Sequence, residues 1–232
     1  VSGESVPEAL VGRAVEELLD RLAALVDGVA PRRAVLGIAG PPGAGKTTVV
    51  TRILEAAAGH SRLSGRVAHV PMDGYHLTNV ELDALGRRDR KGAPDTFDAV
   101  GYAGVLAAVR GVPRAVVTAP TFDHVVGEPV PDSVTVSTEA DLVVTEGNYL
   151  LLDDGDWTAV PALLDEVWWC ELDDPVRVER LVGRHVGTGR EPGAAREWVL
   201  RSDEANARVV AEGVARADLV LLDGVVVRAR RP

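Results

Sequence analysis

Gly40-Pro41-Pro42-Gly43-Ala44-Gly45-Lys46-Thr47 follows the spacing G-x-x-x-x-G-K-[ST]. Glycines at these positions let successive backbone amides curl around phosphate oxygens. A helix that begins at the lysine turns its positive end to the same point, and the ammonium reaches the outer phosphates. Thr47 offers a hydroxyl to Mg²⁺, so Gly40, Gly43, Ala44, Gly45, Lys46, Thr47 and Thr48 form the expected cradle for ATP. The plain alternative is a chance glycine turn. Against it stand the flanking apolar run and helical pattern, and the rarity of lysine: Lys46 and Lys91 are the only two among 25 basic residues. The loop alone does not say whether a phosphoryl group goes to water or to an acceptor. Neither lysine follows an asparagine, so the guanine-reading pattern N-K-x-D is absent.

Two acids stand where a reaction would need them. Asp73 directly follows an apolar run, at the end where α/β sheets place ligands, and its carboxylate could take the proton of an acceptor hydroxyl. Asp73-Gly74 is equally a common turn pair. Glu146 ends the run Leu142-Val143-Val144-Thr145, and Gly147-Asn148 continue it as a loop suited to close ligand approach. Arg177, Arg180 and Arg184 share one face of a helical pattern, and Arg190 follows in the turn Gly187-Thr188-Gly189. They could close on phosphates or form a solvated face, the reading preferred for Arg177 with Asp174 and Glu179 as partners. Cys170 lies in the apolar run Val167-Trp168-Trp169 and reads as a buried strand residue. The five histidines (His60, His69, His76, His124, His185) show no zinc spacing.

These residues need a scaffold, and strand and helix patterns alternate along the chain. An amphipathic helix is expected over residues 7–28, then a strand over 33–39, a helix over 46–58, a strand over 66–70 and a polar stretch over 86–94. A helix over 98–110, capped by Asp95 or Asp98, precedes strands over 114–117 and 141–145. A Pro, Gly and Asp-rich loop around 121–131 separates those two strands. A strand over 166–172, a helix opening at Asp173-Asp174-Pro175, a long helix over 194–212 and a strand over 217–222 complete the series. In the long helix, Glu197 with Arg201 and Glu204 with Arg208 are i,i+4 pairs, and Trp198 and Asn206 could touch ligand, although core packing is the reading preferred for Trp198. Alternation of this kind implies an α/β domain, residues 1–232, with a parallel sheet covered on both faces. The net charge of −10 repels nucleic acid. No apolar stretch is long enough for a membrane, and Val1-Ser2-Gly3-Glu4 does not open a signal peptide, so a cytoplasmic protein is expected.

With these residues in place, the chain resembles the P-loop kinases of the phosphoribulokinase and uridine kinase superfamily, which includes type I pantothenate kinase. Met72-Asp73-Gly74-Tyr75-His76 resembles the segment that bears that family's catalytic acid, and Val143-Val144-Thr145-Glu146-Gly147 its V-x-x-E-G stretch. Arg90-Lys91-Gly92-Ala93-Pro94-Asp95-Thr96-Phe97-Asp98 is similar to the pantothenate kinase pattern R-K-G-x-P-x-x-[YF]-D, and its second half to the uridine kinase form P-D-x-F-D. Pro120-Thr121-Phe122-Asp123-His124 resembles the substrate-side hairpin of both, blending the aspartate of one with the histidine of the other. The chain looks most like a third bacterial branch, some members of which are labelled fructose-transport kinases.

The resemblance implies a P-loop three-layer sandwich with a helical lid over 175–193 and a small substrate-side insertion. It implies ATP with Mg²⁺ as cofactors and a sugar-, nucleoside- or pantothenate-like acceptor, with a homodimer as one assembly. Lys46 would hold phosphates, Thr47 and Glu146 the metal, Asp73 would act as base, and Arg184 and Arg190 would arrive with the lid. Tyr75, His76, Arg90, Lys91, Asp95, Phe122, Asp123, His124 and Asn148 would meet the acceptor. The rival reading is a P-loop switch that controls a protein partner.

Overall fold

The computed structural model describes residues 8–229 apart from residue 224. The start of the sequence, on which the signal-peptide expectation rests, lies outside them. Strand β1 (Ala34–Ala39) is buried at all six positions, which explains its unbroken apolar run. Its side chains alternate between two cores. Ala34, Leu36 and Ile38 pack with helices α1 (Glu8–Val29) and α2 (Lys46–Gly59), and Val35 and Ala39 with helix α4 (Ala99–Val109) on the other face. In α4, Ala99, Tyr102, Leu106 and Val109 are buried at helical spacing, and the Asp98 carboxylate caps it through the Gly101 amide at 2.8 Å. The short helix α3 (Asn79–Ala84) precedes it.

The main sheet contains β2 (Val67–Pro71), β5 (Leu142–Gly147), β6 (Glu166–Glu171), β7 (Leu219–Leu222) and β8 (Val225–Ala229) in the order β2-β5-β1-β6-β7-β8. All pairings are parallel except β7 with β8, a strand that the sequence pattern did not announce. Register decides which residues meet at the sheet's end: Ala39 lies opposite Gly147, and Glu146 opposite Pro71. The phosphate loop, the Glu146 turn and the Asp73 turn therefore leave three adjacent strands at one edge, the place where such sheets bind ligands. No helix among the described residues is long and apolar enough to cross a membrane.

Three expectations are corrected. Residues 121–131 are not a loop: β3 (Val117–Asp123) and β4 (Glu128–Val136) form a separate antiparallel hairpin through them. Pro120, Pro129 and Pro131 are tolerated because each strand of a two-stranded ribbon keeps an unpaired edge. The strand expected over 114–117 begins only at Val117; residues 114–116 are irregular, and the Arg114 guanidinium is engaged by Asp141 and the Pro31 and Ala140 carbonyls. The long helix is interrupted: α6 (Pro192–Trp198) passes through a π turn, Val199–Asp203, into α7 (Glu204–Ala211). Its expected pairs do not form, since Glu204 binds Arg177 and Arg201 stacks on Trp198 at 5.4 Å.

Arg33 is fully buried and donates to the carbonyls of Val109, Ala115 and Ser137, fastening the end of α4 to the hairpin's base. Beside it, Asp165 accepts both Arg32 Nη atoms at 2.7 Å, Arg110 at 2.8 Å and the Val35 amide at 2.9 Å. Burial pushes this carboxyl upward, but the hydrogen bonds from Arg32, the Val35 amide and Arg110 outweigh it and hold the group below its ordinary value. Such a group stabilises the fold fully above its unfolded pKa, and that stability is lost as pH falls through the folded one. Asp165→Asn is expected to cost about 2 kcal/mol at pH 7. The gap from the parent should narrow on acidification below about pH 4. Urea unfolding at pH 7 and pH 3 checks this, and an equal gap at both would refute it.

Candidate active site

The loop after β1 turns on glycine because nothing larger fits. At Gly40, φ is 147° and a Cβ would lie 2.5 Å from the Cys170 carbonyl oxygen; at Gly43, φ is 81° and a Cβ would lie 2.7 Å from Leu181. Gly40 and buried Ala44 shape the loop, while Gly43, Gly45, Lys46, Thr47 and Thr48 line a cavity of about 650 Å³. Lys46 Nζ donates to the Gly40 and Pro41 carbonyls at 3.0 Å and to Asn148 Oδ1 at 2.7 Å. Burial pulls its pKa below the usual lysine value, with Glu146 opposing. Arg177 is 2% exposed, donates to the Pro42 carbonyl and is paired with Asp174 and with Glu204 at 2.5 Å. The solvated face expected for it is thus overturned: it braces the loop from behind. Cys170 is buried, and burial pushes its thiol up to about 12, which makes it an inert strand residue.

Glu146 is buried at the end of β5, and Thr47 donates to its Oε2 at 2.9 Å. His69 on β2 brings Nε2 to 3.5 Å from Oε1, a neighbour that no sequence pattern marked. Next to them, Pro71 ends β2 and residues Met72–Tyr75 form a single 3₁₀ turn. Met72 enters the core, against Gly147, while Asp73 lines the cavity. Among the described residues, the Asp73 carboxylate has no hydrogen-bond or ion-pair partner. Asn148 also lines the cavity, with its carbonyl taken by Lys46.

The acceptor-side set divides. His76 lies between the Phe97 and Phe122 rings, at centroid distances of 4.0 and 4.4 Å, and its Nδ1 donates to the Asp73 carbonyl at 2.7 Å. Burial lowers its pKa, so the ring is neutral with Nε2 an acceptor. Phe122, His124 and Lys91 line the same cavity; Lys91 Nζ lies 5.3 Å from the Phe122 ring centroid. Four other expected residues do not line it. Tyr75 turns into the core against Tyr102, 7% exposed, because the 3₁₀ turn sends neighbouring side chains to opposite sides. Arg90 and Asp95 pair with each other at the surface. Asp123 accepts the amides of Val125 and Val126 and serves as the hairpin's turn cap.

The lid expectation falls on α5 (Asp174–Gly187) and the turn beyond it. Arg180, Arg184 and Arg190 line the cavity, and the Arg190 guanidinium stacks on Trp198 at 4.2 Å. Trp198 is therefore a wall residue, not core. The π turn also brings Asp203 to 2.9 Å from His185 Nε2, and Asn206 Nδ2 to 3.1 Å from the Gly92 carbonyl. Trp198 and Asn206 line the cavity, as one of their two readings had it; an extra residue per turn rotates the face of a helix, so periodicity could not have found Asp203, and π turns recur at functional sites.

No family profile matches the chain. It is 30% identical over 197 residues to a Schizosaccharomyces pombe protein provisionally named uridine kinase C227.14, covering 82% of this chain and 83% of that one. A crystal structure from Silicibacter sp. TM1040, provisionally described as a fructose transport system kinase, is 32% identical with TM-score 0.69, over 82% of this chain and 94% of that one. Phosphoribulokinase from Rhodobacter spheroides shares the fold alone, with TM-score 0.57 at 11% identity over 82% of this chain and 70% of that one.

Proposed function

Since the chain belongs to the P-loop kinases of the phosphoribulokinase and uridine kinase superfamily and is an ATP-dependent phosphotransferase, we propose that it phosphorylates a hydroxyl of a small sugar-, nucleoside- or pantothenate-like metabolite. One observation carries the reading: three adjacent strand ends hold Lys46 with Thr47, Glu146 and an unpaired Asp73 around one cavity, whose far wall is the hairpin. A switch that only hydrolyses ATP has no use for that far wall.

In this reading the acceptor oxygen bonds to the γ-phosphorus as the bridging oxygen leaves with ADP, and Asp73 receives the hydroxyl proton. Lys46 and the loop amides hold the outer phosphates, and Arg184 and Arg190 meet the charge from the lid side. Thr47 and Glu146, 2.9 Å apart through Oγ1 and Oε2, would hold Mg²⁺. A magnesium ion held there would offset negative charge on the triphosphate.

The test is ADP release from MgATP with free sugars, nucleosides and pantothenate added one at a time. ADP release should rise well above background with a hydroxylated compound, and that compound should be recovered as its phosphate ester. Background hydrolysis unchanged by every compound would favour the protein-regulating switch.

A further inference from the structure

Charge divides the cavity into two ends. Lys46, Arg180, Arg184 and Arg190 stand at the phosphate end. Beyond Asp73, the acceptor end has its own basic set, Arg88, Lys91 and His124, which the nucleotide does not explain. Its acids do not match them. Among the described lining residues only Asp73, Glu146 and Asp203 are acidic; the first two flank the transfer point and the third is paired with His185. In a chain of net charge −10 with two lysines, both lysines line this one cavity.

Lys91 is built in, not merely nearby. Its Nζ donates at 2.7 Å to Asn79 Oδ1 and at 2.7 Å to the Gly127 carbonyl, which fixes two of its three N–H donors between α3 and the hairpin tip. The third remains for a ligand. Among the described residues Lys91 forms no ion pair; Glu128, the nearby acid, is turned to the Asn79 amide. Arg88 has only a long, exposed contact to Asp83 at 3.8 Å. Glu128 offsets part of the cost of half-burying this ammonium, and with no direct ion pair its third donor is left for an anionic ligand.

We infer that the acceptor carries an oxyacid anion, a carboxylate or a phosphate monoester, at the end remote from the hydroxyl that is phosphorylated, bound by Lys91, Arg88 and His124. This rests on the kinase reading above and narrows it. The anion passes through the reaction unchanged: the new P–O bond forms at the hydroxyl, ADP leaves, and the proton goes to Asp73. A free sugar or a nucleoside lacks the group that this end is made to hold.

Matched pairs test it on the intact protein: ribose and ribose 5-phosphate, fructose and fructose 6-phosphate, a nucleoside and its monophosphate, glycerol and glycerate, panthenol and pantothenate. The anionic member of the accepted pair should have a kcat/KM at least about 10-fold higher. Whether the sugar phosphates or the hydroxy acids respond identifies the anion. In Lys91→Gln and Arg88→Gln that preference should fall toward unity. The ratio within a pair is the readout, and it does not depend on how much of a variant is folded. Neutral members that match or exceed their partners would overturn the inference and leave the kinase reading standing. MgATP binding with no response to any member would overturn both.

Discussion

Asp73→Asn is expected to lower kcat by about 100- to 10,000-fold while MgATP binds nearly as in the parent. The residue follows β2 directly, in a turn locked on both sides. A Cβ at Gly74 would collide with the Pro120 carbonyl, and the Asp73 carbonyl is engaged by His76. The backbone is thus fixed while the carboxylate stays unpaired among the described residues, the state that a base requires. Asparagine keeps the shape and cannot take the proton, so the loss should appear in kcat far more than in the Michaelis constant for ATP. Calorimetric titration of MgATP beside steady-state rates reads both halves. A variant within threefold of the parent in kcat, about 0.65 kcal/mol of barrier, would reduce Asp73 to a turn residue.

Lys46→Ala should be the other severe change, with weaker triphosphate binding and turnover lower by at least about 100- to 1,000-fold, the range for losing one preorganised charge-stabilising donor. Two losses combine in it. The outer phosphates lose their point charge, and the loop loses the ammonium that ties the Gly40 and Pro41 carbonyls to Asn148. Lys46→Met loses both as well but keeps the apolar stem, so a difference between the two variants measures the packing of that stem and their shared loss measures the ammonium. Equilibrium binding of MgATP together with turnover is the measurement. Unchanged affinity and rate in both would remove the phosphate-loop assignment.

The phosphate loop was legible because its geometry is written in glycine, whose left-handed angles at Gly43 and Gly45 no other residue adopts cheaply. Strand β1 was legible as an unbroken apolar run and helix α4 through helical spacing, and Asp73 and Glu146 through their place at the ends of apolar runs. What failed depends on contacts between distant segments. Nothing local distinguishes Arg177 from Arg180, yet one braces Pro42 from a buried site and the other lines the cavity. Tyr75 and His76 read alike until the 3₁₀ turn sends one inward and the other between two phenyl rings. Asp123 looked chemical because of its neighbours Phe122 and His124, but its carboxylate is consumed by its own turn. The prolines of the hairpin spelled loop because a sequence does not reveal that a strand will have only one partner.

That hairpin shares no strand with the main sheet. Its tip residues Val125 and Val126 are 94% and 66% exposed, whereas a side chain at Gly40 would strike the Cys170 carbonyl and one at Gly147 would strike Met72. Descent therefore treats the two halves of the molecule differently. A substitution at the nucleotide end meets the core beneath it, as does one at Ala119 or Val136 in the ribbon's base, whereas a substitution at the exposed tip meets only solvent and ligand. The tip of the ribbon, where Phe122 and His124 line the cavity, can therefore reshape the acceptor wall while the phosphate loop, Arg88 and Lys91 stay as they are.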